Sequence, residues 1–387
     1  MSRVVMLLSN PFRPDPRVLK EAESLAQAGH QVTVLCWDRA NKYKPEERLG
    51  SGVQITRVQN VPSGYGIGLR QLVRLPRFWL AIIPFLRQLQ PDIIHCHDFD
   101  TLPAGLWWGK THRKPVIYDA HEYYADLCKP RLPGLFGNII YTFIHIAEHI
   151  GSRLASAVVT VDETLGAIFR RYNPHIIIIG HYPSCRLATK SAPVFSRPNL
   201  VLLYIGRLSE DRGLLIYIDI LRQLREIGIP ARLHLAGVFT PAGEESKYKD
   251  HAFGLEDFIS YYGWFSYERV PELLYDADLG LAILCPEPRY IAALPVKMFE
   301  YMAAGLPVLV SNFKPIADVI NETGCGILVD PLADPKIAVN HIKNWWENPN
   351  LARKAGEKGR QVILTKYNWE ILALELNKLY SGLINTG

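Results

Sequence analysis

Residues 294–311 read LPVKMFEYMAAGLPVLVS. The run predicts a short apolar helix from about Val296 to Ala304, a Gly-Leu-Pro turn, and a β-branched strand ending at Ser311. On that helix Ala293, Lys297, Glu300 and Ala304 share one face, while Met298 and Met302 turn another towards a core. A face of one base, one acid and two alanines lets a ligand come close. A carboxylate there can accept two hydroxyl hydrogen bonds, as from the vicinal diol of a ribose. The lysine can stand against a phosphate. The competing reading is an exposed i,i+3 ion pair worth about 0.2–0.5 kcal/mol. Burying such a pair for structure alone is costly.

Working outward, apolar strand-like runs alternate with helical periods in both halves of the chain. The first half has RVVMLLS (3–9), QVTVLCW (31–37), DIIHCH (92–97), PVIYDAH (115–121), AVVTV (157–161) and IIIIG (176–180). The second has LVLLYIG (200–206), RLHLAG (232–237), FISYYG (258–263), LGLAIL (279–284), PVLVS (307–311) and GILV (326–329). Runs apolar on both faces indicate parallel strands covered on both sides. The fold class is therefore α/β, with two Rossmann-like, doubly wound parallel-sheet domains facing across a cleft. The expected division is 1–185, a polar linker at 186–199, a second domain at 200–366, and a C-terminal helix at 367–387 that crosses back to the first domain. Such sheets bind ligands beyond the carboxyl ends of their strands.

The chain has 387 residues, 48% hydrophobic and 21% charged, which suits two globular domains and excludes a disordered or fibrous protein. The net charge of +5 is uneven. Residues 1–190 carry 23 Lys/Arg against 15 Asp/Glu, and residues 191–387 carry 20 against 23. A basic first half favours an anionic surface or substrate. The six cysteines stand singly, with no CxxC pair, which points to reduced thiols in a cytoplasm-like compartment. No run approaches the length of a membrane-spanning helix, and the opening apolar run is too short for a signal peptide.

YIGRLSEDRG (204–213) follows a strand and precedes a helix, placing Gly206 at the turn and Arg207 and Arg212 near a helix N-terminus. Free N–H groups and two forked cations there suit a diphosphate. The alternative is surface pairing of these arginines with Glu210 and Asp211. No GxGxxG or Walker-type loop follows any strand, which argues against nicotinamide and ATP chemistry. In the first half HCHDFD (95–100) and YDAHEYY (118–124) place His95, His97 and His121 at strand ends. His-x-His beside carboxylates suggests a metal, but no recognisable spacing completes a ligand set, so none is expected. His121, beside Asp119 and Glu122, is expected to face a ligand.

These residues resemble a family: the retaining glycosyltransferases of the GT-B fold, from family 4 of the sugar-nucleotide-dependent enzymes. The likeness runs nearly end to end, through DPRVLKEAESLAQAGHQVTVL, PDIIHCHD, PVIYDAHE, IGRLSEDRG, YYGWFSYERVPELLYDADLGL, LPVKMFEYMAAGLPVLVS, GILVDP and KYNWE. It implies a nucleotide-sugar donor such as a UDP-sugar, held mainly by the second domain. Arg207 and Arg212 would grip the diphosphate beside Gly206, with Arg212 where the family usually has lysine. Glu300 would take the ribose hydroxyls. Gly263, Trp264 and Phe265 would border the base. Leu294, Pro295 and Val296 would lead into the phosphate-side Lys297. His121 would bond a hydroxyl of the transferred sugar. Catalysis would then rest on His121, Arg207, Lys297 and Glu300, by charge stabilisation at the phosphates, with no metal and no cofactor. Two departures stand out. The family's frequent Glu-x7-Glu pair loses its first acid to Ala292, and its glycine-rich first turn is replaced by NPFRPDPR (10–17), with Asp15 and Arg17.

LRQLVRLPRFWLAIIPFLRQLQ (69–90) interleaves Arg70, Arg74, Arg77 and Arg87 with Phe78, Trp79 and Phe85, and LPGLFGNIIYTFIHIAEHIG (132–151) adds a second apolar stretch. Both suit an anionic membrane surface at the inner face of a membrane and a lipid-linked or polysaccharide-precursor acceptor. The alternative buries both helices in the domain core. No nucleic-acid partner is expected. Competing functions are a sugar-nucleotide epimerase on the same fold and a non-catalytic sugar-nucleotide or polysaccharide-binding protein. Phosphorylase-like chemistry would need Lys297 to carry pyridoxal.

Overall fold

The computed structural model describes residues 1–13, 15–64, 71–129, 134–243, 245–265 and 269–385. The chain divides into two compact units, one of residues 1–181 with 372–387 and one of residues 182–371.

The first unit holds β1 (Arg3–Leu8), β2 (Gln31–Trp37), β3 (Glu46–Arg48), β4 (Gln54–Val58), β5 (Ile93–His97), β6 (Val116–Ala120), β7 (Ala157–Thr160) and β8 (Ile176–Ile178). They form one sheet in the order β3-β4-β2-β1-β5-β6-β7-β8, parallel except for the edge pair β3–β4. The six expected strands are all present. The two missed ones, β3 and β4, are short and polar: burial falls on only some of QITRV and none of EER, so no apolar run announced them. The order turns between β1 and β5, so the loops after β1, β5 and β6 meet at one end of the sheet.

In the second unit, β9 (Leu200–Ile205), β10 (Ala231–Ala236), β11 (Ile259–Gly263), β12 (Leu279–Ala282), β13 (Val308–Ser311) and β14 (Gly326–Val329) follow. Their sheet is wholly parallel in the order β11-β10-β9-β12-β13-β14, turning between β9 and β12. The central strands are buried on both faces, as apolar runs between helical layers require.

The expected linker at 186–199 is a packed part of the second unit. Ala188, Ala192, Val194 and Phe195 are buried in its core. Buried Asp278 accepts from the Phe195 N–H at 2.6 Å and the Val201 N–H at 2.9 Å, and Arg353 and Arg360 bond carbonyls of the stretch. Its polar composition misled because these partners lie far away in sequence.

Of the two stretches expected at a membrane, the helix Gln71–Leu89 buries Phe78, Ile82 and Leu86, and Trp79 donates to the Asp100 carbonyl at 2.7 Å. That helix belongs to the core, with Arg77 and Arg87 on its outer side. The helix Gly134–Leu154 behaves differently: Leu135, Ile139, Phe143, Ile146, Ile150 and Leu154 are all exposed at helical spacing. Arg70 and residues 132–133 lie outside the described residues. Among the described residues no helix is long and apolar enough to cross a membrane.

Candidate functional site

The helix Val296–Ala303 is fixed by Tyr301. Gly280 in β12 has no side chain because the Tyr301 ring fills that space: a Cβ there would lie 2.3 Å from it. The Tyr301 hydroxyl accepts from the Ile205 N–H at 2.9 Å, at the carboxyl end of β9. The helix is thereby pinned against the sheet's switch point. Pro295 precedes it in extended conformation with no side-chain cap, so its first N–H groups are not consumed by a capping side chain.

Lys297 and Glu300 are only 8% and 7% exposed, which removes the reading of an exposed surface pair. The Lys297 ammonium lies 3.7 Å from the centre of the Tyr204 ring and has no hydrogen-bond partner among the described residues. It also crowds Gly206, where a Cβ would come within 2.8 Å of Nζ. Burial first, then the charge of Arg212, and to a lesser degree that of Arg207, push the lysine well below its usual range against the pull of Glu300. Arg212 lies over Tyr290, 5.3 Å from the ring centre. Arg207 is more open; its Nη2 is 3.5 Å from the Tyr290 hydroxyl and 3.7 Å from Asp211, a carboxylate shared more closely with Arg289. The surface-pair reading thus holds in part for Arg207, while Glu210 pairs with Lys247 instead. The structure brings Gly206, Arg207, Arg212, Lys297 and Glu300 into one neighbourhood at the β9–β12 switch point. Three cations with a buried, unsatisfied ammonium can hold an anion.

Leu294, Pro295 and Val296 lead directly into this helix. Gly263 closes β11 at φ +65°, and Trp264 beyond it is exposed. Phe265 packs edge-on to Tyr262 under Arg269. These three stand at the sheet edge, two strands from β9. Ala292 follows the short helix Pro288–Ile291, where the absent acid would have stood.

The first unit carries a second polar cluster. His95, His97 and Asp119 are buried at the ends of β5 and β6, and His121 follows β6. Four imidazoles stack in a column. His95 and His97 lie 4.4 Å apart, His97 and His121 5.6 Å, and His121 and His181 5.7 Å. Asp119 Oδ2 lies 3.0 Å from His97 Nδ1, 3.3 Å from His121 Nε2 and 3.5 Å from His95 Nε2. At the inner end His95 Nδ1 meets the Tyr380 hydroxyl at 2.7 Å, and its Nε2 is 3.7 Å from Glu21. Burial pulls His95 down to about 4 and pushes His121 well below its usual value, so both rings are neutral. Asp119 is held ionised by the surrounding imidazoles despite its burial. Burial and the Asp119 charge raise Glu21 well above its usual value.

The donor atoms of Glu21, His95, His97 and Asp119 all lie within 4.8 Å of one another, close enough to surround a cation, a set no spacing in the sequence revealed. Within the cluster His97 Nδ1 and His121 Nε2 hydrogen-bond each other at 3.3 Å. Glu21 and Tyr380 were not singled out from the sequence. A signal existed for Glu21: it shares the buried face of the helix Pro16–Gln27 with Val18, Ala22 and Leu25. Asp15 has a local role, capping that helix through the Val18 N–H and accepting from Asn10.

Comparison with known proteins agrees with this architecture. Residues 17–192 match the model of Glycosyltransferase Family 4, and residues 189–362 that of Glycosyl transferases group 1. An uncharacterised glycosyltransferase of Methanocaldococcus jannaschii is 24% identical over 379 residues, covering 93% of this chain and 91% of that protein. Sucrose-phosphate synthase of Thermosynechococcus elongatus superposes with a TM-score of 0.78 at 17% identity, over all of both chains. Anabaena HepE, solved with UDP, gives 0.70 at 17% identity, over 98% of this chain and all of that one. The fold is GT-B. The chain is a glycosyltransferase, its first half matching family 4 and its second half group 1.

Proposed function

We propose that the chain transfers a sugar from a nucleoside diphosphate sugar, with the second unit as the donor-binding part. Lys297, Arg212 and Arg207 would neutralise the diphosphate as it leaves. Glu300 would accept the ribose hydroxyls, and Gly263–Phe265 would border the base. His121 would bond a hydroxyl of the transferred sugar, and retention follows the resemblance to family 4. Three fixed cations supply the charge that a metal would otherwise bring, so the reaction is proposed to need none. The carrying observation is the Lys297 ammonium, buried beside Gly206 with no hydrogen-bond partner. Anabaena HepE, solved with UDP and with UDP-glucose, makes a uridine donor the first to try. The test is a thermal-shift panel of uridine, guanosine and adenosine diphosphates and their sugars. A ligand at a hundred times its Kd stabilises by about 2.7 kcal/mol. The reading fails if none of them stabilises the protein, or if Lys297→Met responds as the wild type does.

The acceptor is proposed to be lipid-linked, with the helix Gly134–Leu154 seated on the anionic inner face of a membrane. The support is its exposed apolar row, in a half of the chain with an excess of Lys/Arg. Wild type should co-sediment with anionic vesicles, and Phe143→Glu with Ile146→Glu should not, at unchanged melting temperature. Failure of the wild type to bind, or a dimer that covers the row, would refute it.

A further inference from the structure

Four buried side chains of the first unit converge from three separate stretches of chain. Glu21 comes from the helix Pro16–Gln27, His95 and His97 from β5, and Asp119 from β6. Hydrogen bonding pairs some of their atoms: His95 Nδ1 with the Tyr380 hydroxyl at 2.7 Å, and His97 Nδ1 with His121 Nε2 at 3.3 Å. It leaves Glu21 Oε2, His95 Nε2 and Asp119 Oδ2 buried with no hydrogen-bond partner among the described residues. Orphaned buried polar atoms are uncommon, and each carries a desolvation cost. Three of them around one point call for a common partner. The distances name its kind. His95 Nε2 lies 3.5 Å from Asp119 Oδ2 and 3.7 Å from Glu21 Oε2, and His97 Nδ1 lies 3.0 Å from Asp119 Oδ2. One donor atom from each of the four residues lies within 4.8 Å of all the others. Ligands bound about 2.0–2.1 Å from a tetrahedral ion stand about 3.3–3.4 Å from one another, close to these separations. Two imidazole nitrogens and two carboxylate oxygens suit a divalent first-row ion in ligand type, and the two carboxylates balance its charge. Tyr380 gives His95 the outer hydrogen-bond partner that a ligating imidazole ordinarily has.

We propose that Glu21, His95, His97 and Asp119 form a structural site for a divalent first-row transition ion, with zinc as the probe. The ion ties the helix Pro16–Gln27 to β5 and β6, and through His95 and Tyr380 it braces the helix Trp369–Asn385. It takes no part in sugar transfer, so the inference goes beyond that reading and does not depend on it. The ligands are buried, so the ion enters as the chain folds, and its binding adds to the stability of the fold.

The test uses the full chain, made without a polyhistidine tag in zinc-supplemented medium and dialysed against EDTA. Elemental analysis should find about one first-row ion per chain, kept by the native protein and lost when guanidinium and EDTA unfold it. Refolding with zinc should restore the ion and raise the melting temperature above that of protein refolded in EDTA. Refolding with cobalt should give the visible absorption of a four-coordinate ion. Glu21→Gln and His95→Asn should each lower the zinc content at least about tenfold. His145 and His149, with rings 4.2 Å apart on the helix Gly134–Leu154, are a competing imidazole pair, and His149→Gln should keep the ion. The proposal is overturned if the wild type holds no first-row ion either as purified or after refolding with zinc, or if magnesium or calcium is held instead. It is equally overturned if the ion survives both Glu21→Gln and His95→Asn, or leaves with His149→Gln. If the ligand variants do not fold, the ion content of the wild type and its zinc-dependent melting temperature decide.

Discussion

The two units build their polar clusters at the same place, beyond the carboxyl ends of parallel strands, and charge them in opposite ways. In the first unit a carboxylate, Asp119, lies 3.0–3.5 Å from one nitrogen of each of three imidazoles, and His97 hydrogen-bonds His121 while His95 meets Tyr380. In the second an ammonium is buried beside two guanidinium groups and has no hydrogen bond among the described residues. The first cluster supplies the partners of its own buried charge, since imidazoles surround Asp119. The second is incomplete, and incompleteness at a buried charge carries an energetic penalty that an anion relieves. One fold thus sets a carboxylate among imidazoles in one unit and an ammonium beside guanidinium groups in the other.

The sharpest way to break this contrast is Lys297→Met, which keeps the volume and removes the charge. Nucleotide-dependent turnover should fall by about 10²–10³-fold in kcat/KM. The melting temperature of the free protein should stay level or rise, since an uncompensated buried charge is removed. A variant that melts well below the wild type yet retains turnover would make Lys297 structural.

Acidity sharpens the same point. The folded value of Lys297 lies well below that of the unfolded chain, about 10.4. Between the two, the unfolded chain binds the extra proton, so stability rises with pH across that window and levels above it. The difference between wild-type and Lys297→Met melting curves, taken from neutral to alkaline pH, should show this slope. A bound nucleoside diphosphate should flatten it by raising the lysine's folded value. An identical pH dependence in both proteins would contradict the assignment.

The smallest effect belongs to the histidine cluster. Tyr380→Phe deletes the hydroxyl that meets His95 Nδ1 and leaves one buried ring nitrogen unmatched. The expected loss is about 1–3 kcal/mol in urea unfolding, with the donor-induced thermal shift unchanged. A lost nucleotide response in this variant would mean that the clusters are not independent.

The sequence by itself determined the alternation of strands and helices, because parallel strands covered on both faces must read as apolar runs. It also singled out Gly206, Arg207, Arg212, Lys297 and Glu300 as one candidate set, since strand-end position and helical spacing are local properties. Only the tertiary structure decided what depends on contacts across long stretches of chain. Asp278 draws 186–199 into the second unit. The helix Gln71–Leu89 turns inward while Gly134–Leu154 keeps its apolar row outside, although both read alike in sequence. Glu21, Asp119 and Tyr380 converge on one histidine column, Tyr380 meeting His95 across 285 residues of chain. Periodicity reports which face of a helix is apolar; what covers that face, and which buried charge meets which, is settled only when distant segments pack.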